Sequence, residues 1–172
     1  VKLNSINGSI FWSLNTLASV FSDDTDFFIS SEIVLNNNNI FFSTPVSTFS
    51  FSLGNGIFNW VSDIGTSNTP IIDGKNVFLV SDNGFLVNLD KDTGKIIWSI
   101  NILKVLKESK QITNITGFIL GSGKIYAVTS NGYLIVCSAR SGKVTTPFNS
   151  ELNNASSISL NGSKLYFGVD IP

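Results

Sequence analysis

Residues 83–98, NGFLVNLDKDTGKIIW, decide how the rest of the chain is read. Val87 and Leu89 alternate with polar neighbours, Lys91-Asp92-Thr93-Gly94 turns the chain, and Ile96-Ile97-Trp98 runs back. Apolar alternation on both sides of a short Asp- and Gly-containing turn predicts two antiparallel strands. The form returns at residues 1–12 (VKLNSINGSIFW), 49–60 (FSFSLGNGIFNW) and 135–146 (IVCSARSGKVTT). Aligned on Gly8, Gly56, Gly94 and Gly142, the copies lie 48, 38 and 48 residues apart. Three of them close on Trp12, Trp60 and Trp98, and the fourth has Thr146 there. Strand content at this period predicts a propeller-type array rather than a helical solenoid.

The half of each unit before that hairpin repeats as well. NVFLVSDNG at 76–84 matches KIYAVTSNG at 124–132, so Asn83-Gly84 and Asn131-Gly132 occupy one position. Asn-Gly between apolar runs is a strong hairpin signal. A full unit therefore reads as four short antiparallel strands, which is one propeller blade. Residues 31–60, 66–98 and 115–146 are expected to form blades in a single domain spanning 1–172. Residues 1–12 would end one blade and 156–168 begin another. In the degenerate blade, Thr44-Pro45-Val46-Ser47-Thr48 replaces the Asn-Gly turn. The predicted fold is all-β, a β-propeller of four-stranded antiparallel blades. Two arrangements accommodate it: part of a larger ring, or closure of the terminal halves on each other into a four-bladed ring.

Composition narrows the function. Only 13% of residues are charged and the net charge is −1, which offers no basic footprint for nucleic acid. The chain has no His, the commonest general base and metal ligand. A single cysteine, Cys137, excludes an internal disulfide or a zinc cluster, and its apolar strand context predicts a buried hydrophobe. No catalytic residue, cofactor or metal ligand is expected. No apolar run approaches the ~18 residues of a membrane span. Val1 is not an initiator methionine, so the chain is expected to be a processed product or an excerpt, with any signal or lipid anchor upstream.

Several stretches imitate binding motifs. Asp90-x-Asp92-x-Gly94 begins like a calcium loop, but the twelfth position is Asn101 rather than Glu. The other copies put Asn4 and Ile6, or Ser138 and Arg140, at the two acidic positions, so a turn in which Asp accepts backbone N–H bonds is expected. Gly121-Ser122-Gly123-Lys124 lacks the spacing of a phosphate loop and reads as a hairpin turn. Asp23, Asp24 and Asp26 are expected to lie in a solvated connector. Residues 101–112, NILKVLKESKQI, are expected to form a short amphipathic helix, whose Leu103, Val105 and Leu106 either cap a blade or dock a partner. Trp12, Trp60 and Trp98, each at the end of a unit, are expected to dock adjacent blades together.

The run Leu86-Val87-Asn88-Leu89-Asp90-Lys91-Asp92-Thr93-Gly94-Lys95-Ile96-Ile97-Trp98 resembles the PQQ-like propeller repeat. With residues 69–98 and 117–144, the chain is similar to the C-terminal half of the BamB family of outer-membrane assembly lipoproteins. That resemblance implies an eight-bladed periplasmic propeller, anchored by a lipidated cysteine absent from this chain. It also implies a scaffold role, with docking on the POTRA domains of a BamA-like barrel-insertion protein. Two other classes share the repeat: PQQ-dependent dehydrogenases and sensor or adhesion propellers. The dehydrogenases resembled here use a vicinal cysteine pair, a carboxylate-held calcium ion and an Asp base, and one cysteine cannot supply the pair.

Overall fold

The computed structural model describes residues 1–13, 30–81, 83–106, 113–145, 147–149, 155–162 and 164–169. Asp23, Asp24, Asp26 and Thr146 lie outside these residues. Sixteen strands are assigned among them. Each of three sheets is a four-stranded antiparallel meander. The second blade contains β3 (Val34–Asn36), β4 (Asn39–Ser43), β5 (Thr48–Ser52) and β6 (Phe58–Ser62). The third contains β7 (Ile71–Asp73), β8 (Asn76–Val80), β9 (Phe85–Asp90) and β10 (Ile96–Asn101). The fourth contains β11 (Ile115–Gly121), β12 (Lys124–Thr129), β13 (Tyr133–Ser138) and β14 (Phe148–Asn149). Two-stranded pairs flank them: β1 (Lys2–Leu3) with β2 (Ile10–Trp12), and β15 (Ala155–Asn161) with β16 (Lys164–Val169).

Strand alternation sends each sheet's side chains to two neighbours. In the third blade, Val77, Leu79, Val87 and Leu89 are buried in one cluster with Phe41 and Trp60 of the second blade. Phe78, Val80 and Leu86 point the other way and join Ile125, Ala127, Ile135 and Cys137 of the fourth. A central strand buried on both faces is apolar throughout, which explains the run VFLV of β8, whereas in LIVC of β13 Ile135 and Cys137 are buried and Leu134 and Val136 are half-buried. Much of the phenylalanine content serves the second blade, where Phe42 stacks on Phe49 and Phe51 with centroids 5.2 and 5.8 Å apart.

The hairpin turns of the repeat share one geometry. Gly94 N–H donates to the Asp90 carbonyl at 2.8 Å, as Gly8 does to Asn4, Gly56 to Ser52 and Gly142 to Ser138. These four glycines hold φ of 71°, 71°, 70° and 69°, a left-handed conformation that a side chain disfavours. In the Asp90 turn, the carboxylate accepts the N–H groups of Asp92 and Thr93 and the Thr93 hydroxyl.

Three features depart from the sequence expectations. First, Trp12 ends β2, but Trp60 and Trp98 do not end their strands, and β6 runs on to Ser62. β10 continues through Ser99, Ile100 and Asn101, which pair with Val87, Leu86 and Phe85. Second, a β-bulge recurs one residue before each tryptophan. Ile96 pairs with Leu89 and Trp98 with Asn88, leaving Ile97 as the extra residue, and the register shifts likewise at Trp12 and Trp60. A bulge bends its strand and re-aims the next side chain. Third, the expected helix from 101 onward is a single 3-10 turn, Leu103–Val105, that ends at Leu106 with ψ of 82°. Its start is held by Asn101 Oδ1, which accepts the N–H groups of Leu103 and Lys104. Residues 107–112 lie outside the described residues. No helix among the described residues is long and apolar enough to cross a membrane.

Candidate docking face

Because the strands alternate in direction, successive loops of a meander fall at opposite ends of a blade. One end carries the β3–β4, β7–β8 and β11–β12 turns together with the repeat glycine turns. Backbone bonds join the two sets: Leu53 N–H to Asn38 O, Lys91 N–H to Lys75 O and Ala139 N–H to Gly123 O. The other end carries the β4–β5, β8–β9 and β12–β13 turns and, among the described residues, the segments that join one blade to the next. There Thr66 N–H donates to Thr44 O, Ile102 N–H to Gly84 O and Ser130 N–H to Asn114 O. We refer to these as the turn face and the connector face.

At the turn face, each repeat tryptophan reaches the glycine turn of the next blade. A Cβ at Gly56 would lie 2.7 Å from Trp12 Cε3, one at Gly94 2.5 Å from Trp60 Cε3, and one at Gly142 2.8 Å from Trp98 Cζ3. Gly8 has nothing within 4 Å. The indole N–H of Trp12 donates to Leu53 O at 3.1 Å and that of Trp60 to Lys91 O at 2.8 Å. Each acceptor precedes the contacted glycine by three residues. The structure thus brings Trp12 to Gly56, Trp60 to Gly94 and Trp98 to Gly142. Burying an indole in such a seam stabilises it by about 1.5–3 kcal/mol.

Asn83, Gly84, Asn131 and Gly132 lie at the connector face. Gly84 and Gly132 hold φ of 77° and 81° in the β8–β9 and β12–β13 turns. Asn131 Nδ2 donates to Thr113 Oγ1, and its Oδ1 accepts the Thr129 hydroxyl, bracing the turn against the incoming link. Leu103 rests on Gly84, where a Cβ would lie 2.4 Å from Leu103 Cγ. Leu103, Val105 and Leu106 are half-buried and pack on the core shared by the third and fourth blades.

The connector face instead presents a cleft of about 700 Å³ between the second and third blades. Val46 in the β4–β5 turn and Phe85 at the start of β9 supply its apolar wall, 47% and 42% exposed. Asp63 lies on its rim, exposed, and Asn83, Ser81 and Ser99 complete the polar side. The floor is rigidly held. Thr48 Oγ1 donates to Ile64 O at 2.6 Å and meets Ser43 Oγ at 2.8 Å, while Ser47 N–H donates to Thr44 Oγ1. Gly65 is pressed against Pro45, where a Cβ would fall 2.2 Å from backbone atoms. Buried, satisfied hydroxyls of this kind fix a loop's shape, and a preformed surface binds at a lower ordering cost.

Sequence reading missed this cleft. One available signal was an aromatic residue directly after each Asn-Gly, Phe85 and Tyr133. Another was an apolar Val46 inside a turn.

Among the described residues, two titratable side chains depart from their ordinary values, Cys137 and Asp90. Cys137 is buried in β13, and loss of solvation pushes its thiol up to about 11. Asp90 is held below the usual carboxylate range, chiefly by the Thr93 hydroxyl. Among the described residues no group of three or more carboxylates, thiols or imidazoles is arranged to hold a metal ion.

Comparison with solved structures shows the same architecture. BamB from Moraxella catarrhalis superposes with a TM-score of 0.68 at 13% identity, covering 81% of this chain and 40% of that one. The computationally designed protein Ika4 gives a TM-score of 0.63 at 12% identity, covering 81% and 86%. Quinohemoprotein alcohol dehydrogenase from Comamonas testosteroni gives 0.58 at 17% identity, covering 70% and 21%. The chain therefore spans well under half the length of the BamB structure it matches, and these likenesses establish the propeller fold. No curated protein matches by sequence. A family model described as outer membrane protein assembly factor BamB matches residues 1–100, more than half of the chain. Repeat, fold and family model agree, and the chain belongs to this family of PQQ-like repeat propellers, described as outer membrane protein assembly factor BamB.

Proposed function

We propose that the protein is a non-catalytic propeller scaffold on the periplasmic side of the outer membrane. In this reading it assists β-barrel assembly by docking the POTRA domains of a BamA-like protein, and its membrane attachment is a lipid anchor upstream of Val1. The observation that carries the reading is the connector-face cleft, where exposed Val46 and Phe85 stand on a hydrogen-bonded frame beside the Asp63 carboxylate. An apolar wall with a few fixed polar groups suits a side chain or loop of another protein. The surrounding ring is proposed to have eight blades, of which this chain supplies part.

The shared fold of the Comamonas testosteroni dehydrogenase supports a competing reading, quinone-dependent oxidation. The chain's own residues favour the scaffold. It has one cysteine where such chemistry is expected to use an adjacent pair, and that cysteine is buried with its thiol pushed up to about 11. The test is co-purification of the intact protein with the periplasmic domains of the BamA-like protein from the same cells. Co-elution is expected. Failure to bind, together with PQQ-dependent dye reduction by the intact protein, would replace the scaffold with the enzyme.

A further inference from the structure

The three tryptophan seams are alike in register and unlike in one bond. In the first two, the indole N–H meets a backbone carbonyl, Leu53 O or Lys91 O. The equivalent residue in the fourth blade is Ala139. It precedes Gly142 by three residues, and its N–H bonds the neighbouring turn at Gly123 O just as Leu53 bonds Asn38 and Lys91 bonds Lys75. Trp98 Nε1, however, is buried and has no hydrogen-bond partner.

A second buried group beside it is in the same condition. Asn88 lies directly opposite Trp98 across β9 and β10, so the two side chains share a face. Asn88 is 3% exposed, its Nδ2 donates to Asn76 Oδ1 at 2.9 Å, and its Oδ1 has no partner. Swapping the amide ends sets Oδ1 against Asn76 Oδ1, so either orientation leaves one end of Asn88 unpaired unless Asn76 turns as well, and then Nδ2 is the end left over. One donor and one acceptor, both buried, thus sit on facing residues. Each left unpaired costs about 1–3 kcal/mol.

The ring position supplies the reason. Over Gly56 and Gly94 the nearest indole atoms are Cε3, Cδ2 and Cγ, whereas over Gly142 they are Cζ3 and Cε3, joined by Ile100 Cγ2. Trp98 therefore covers its glycine with the rim of the six-membered ring, and its pyrrole side is set back from the Ala139 turn. The residue opposite the tryptophan is Ser50 in the second blade and the larger Asn88 in the third.

We propose that the seam between the third and fourth blades binds an internal water molecule, which accepts from Trp98 Nε1 and donates to Asn88 Oδ1 and to the Ala139 carbonyl oxygen. Buried waters typically make about three such bonds to groups that lack protein partners. The latch that two seams close directly is closed here through water.

The test is cross-relaxation between water and the indole protons in the intact protein carrying isotope-labelled tryptophan, with through-space transfer separated from exchange by sign. The Trp98 signal is assigned by its loss in Trp98→Phe. A through-space water contact is expected at the Trp98 indole and not at Trp60. It is expected to vanish in Asn88→Leu and to remain in Asn88→Ser, which keeps an acceptor. Absence of the contact in the unmodified protein overturns the proposal, and that result does not depend on any variant folding. Equal contacts at Trp60 and Trp98 overturn it too, as does persistence in a folded Asn88→Leu protein.

Discussion

The indole N–H of Trp60 donates to the carbonyl oxygen of Lys91 at 2.8 Å, and the same ring covers Gly94 of that turn. One side chain therefore spans two blades, by an apolar contact and a hydrogen bond together. The glycine is required twice over, for its left-handed φ of 70° and for the absence of a Cβ. Gly94→Ala should lower stability by about 2–4 kcal/mol, the sum of a left-handed side chain and partial displacement of a buried indole. Gly74→Ala is the control, since Gly74 also has positive φ but nothing within 4 Å. It should cost only about 1–2 kcal/mol. Equal shifts of the urea midpoint in the two variants would refute the close-approach argument.

Trp60→Phe removes a donor and leaves the Lys91 carbonyl, in a part-buried bond, without its partner, whereas Trp98→Phe removes a donor that has no protein acceptor. Both lose packing, including ring contacts at 6.0 Å with Phe41 and 6.1 Å with Phe78 respectively. The Trp60 variant should be the less stable by about 1 kcal/mol. Chemical denaturation of the pair measures the difference, and an order reversed or equal contradicts it.

Much of this architecture was legible in residues 83–98. Four copies of one turn announced the blades, and the polar residues of those turns pointed to Asp90 as a local acceptor. What stayed hidden depends on three-dimensional neighbours. Ile96 and Ile97 break the period-two alternation, which is the trace of the bulge ahead of Trp98, but the break alone does not say where the indole points. The connectors differ in length, so no spacing links Trp60 to Lys91. Ile102, Leu103, Val105 and Leu106 imitate an amphipathic helix because all four are drawn into or onto the blade core. The cleft draws Val46, Asp63 and Phe85 from two separate blades, and a linear pattern does not bring them together.

Asp90 makes stability depend on acid. Its folded pKa lies below the unfolded value, so its contribution is present above the unfolded value and is lost as pH falls through the folded one. Asp90→Asn should flatten the fall in stability below about pH 4. Parallel stability–pH curves for the two proteins in that range would show that the turn bonds do not depress the carboxyl.

Cys137 should behave as a core residue. With its thiol pushed up to about 11 and the side chain buried, a thiol reagent at neutral pH should leave the native protein unlabelled and label it fully in denaturant. Rapid labelling without denaturant would mean that the β13 region of the core opens readily.

The most direct test of the scaffold reading is a binding titration of the intact protein against the POTRA domains of the BamA-like protein. It compares the unmodified protein with the double variant Val46→Asp, Phe85→Asp. Both residues are partly exposed, so the variant should keep its unfolding free energy within about 1 kcal/mol of the unmodified protein's. The account predicts saturable binding that weakens at least about tenfold in the variant, which corresponds to about 1.4 kcal/mol. Unchanged affinity in a folded variant would contradict the assignment of the connector-face cleft as the docking site.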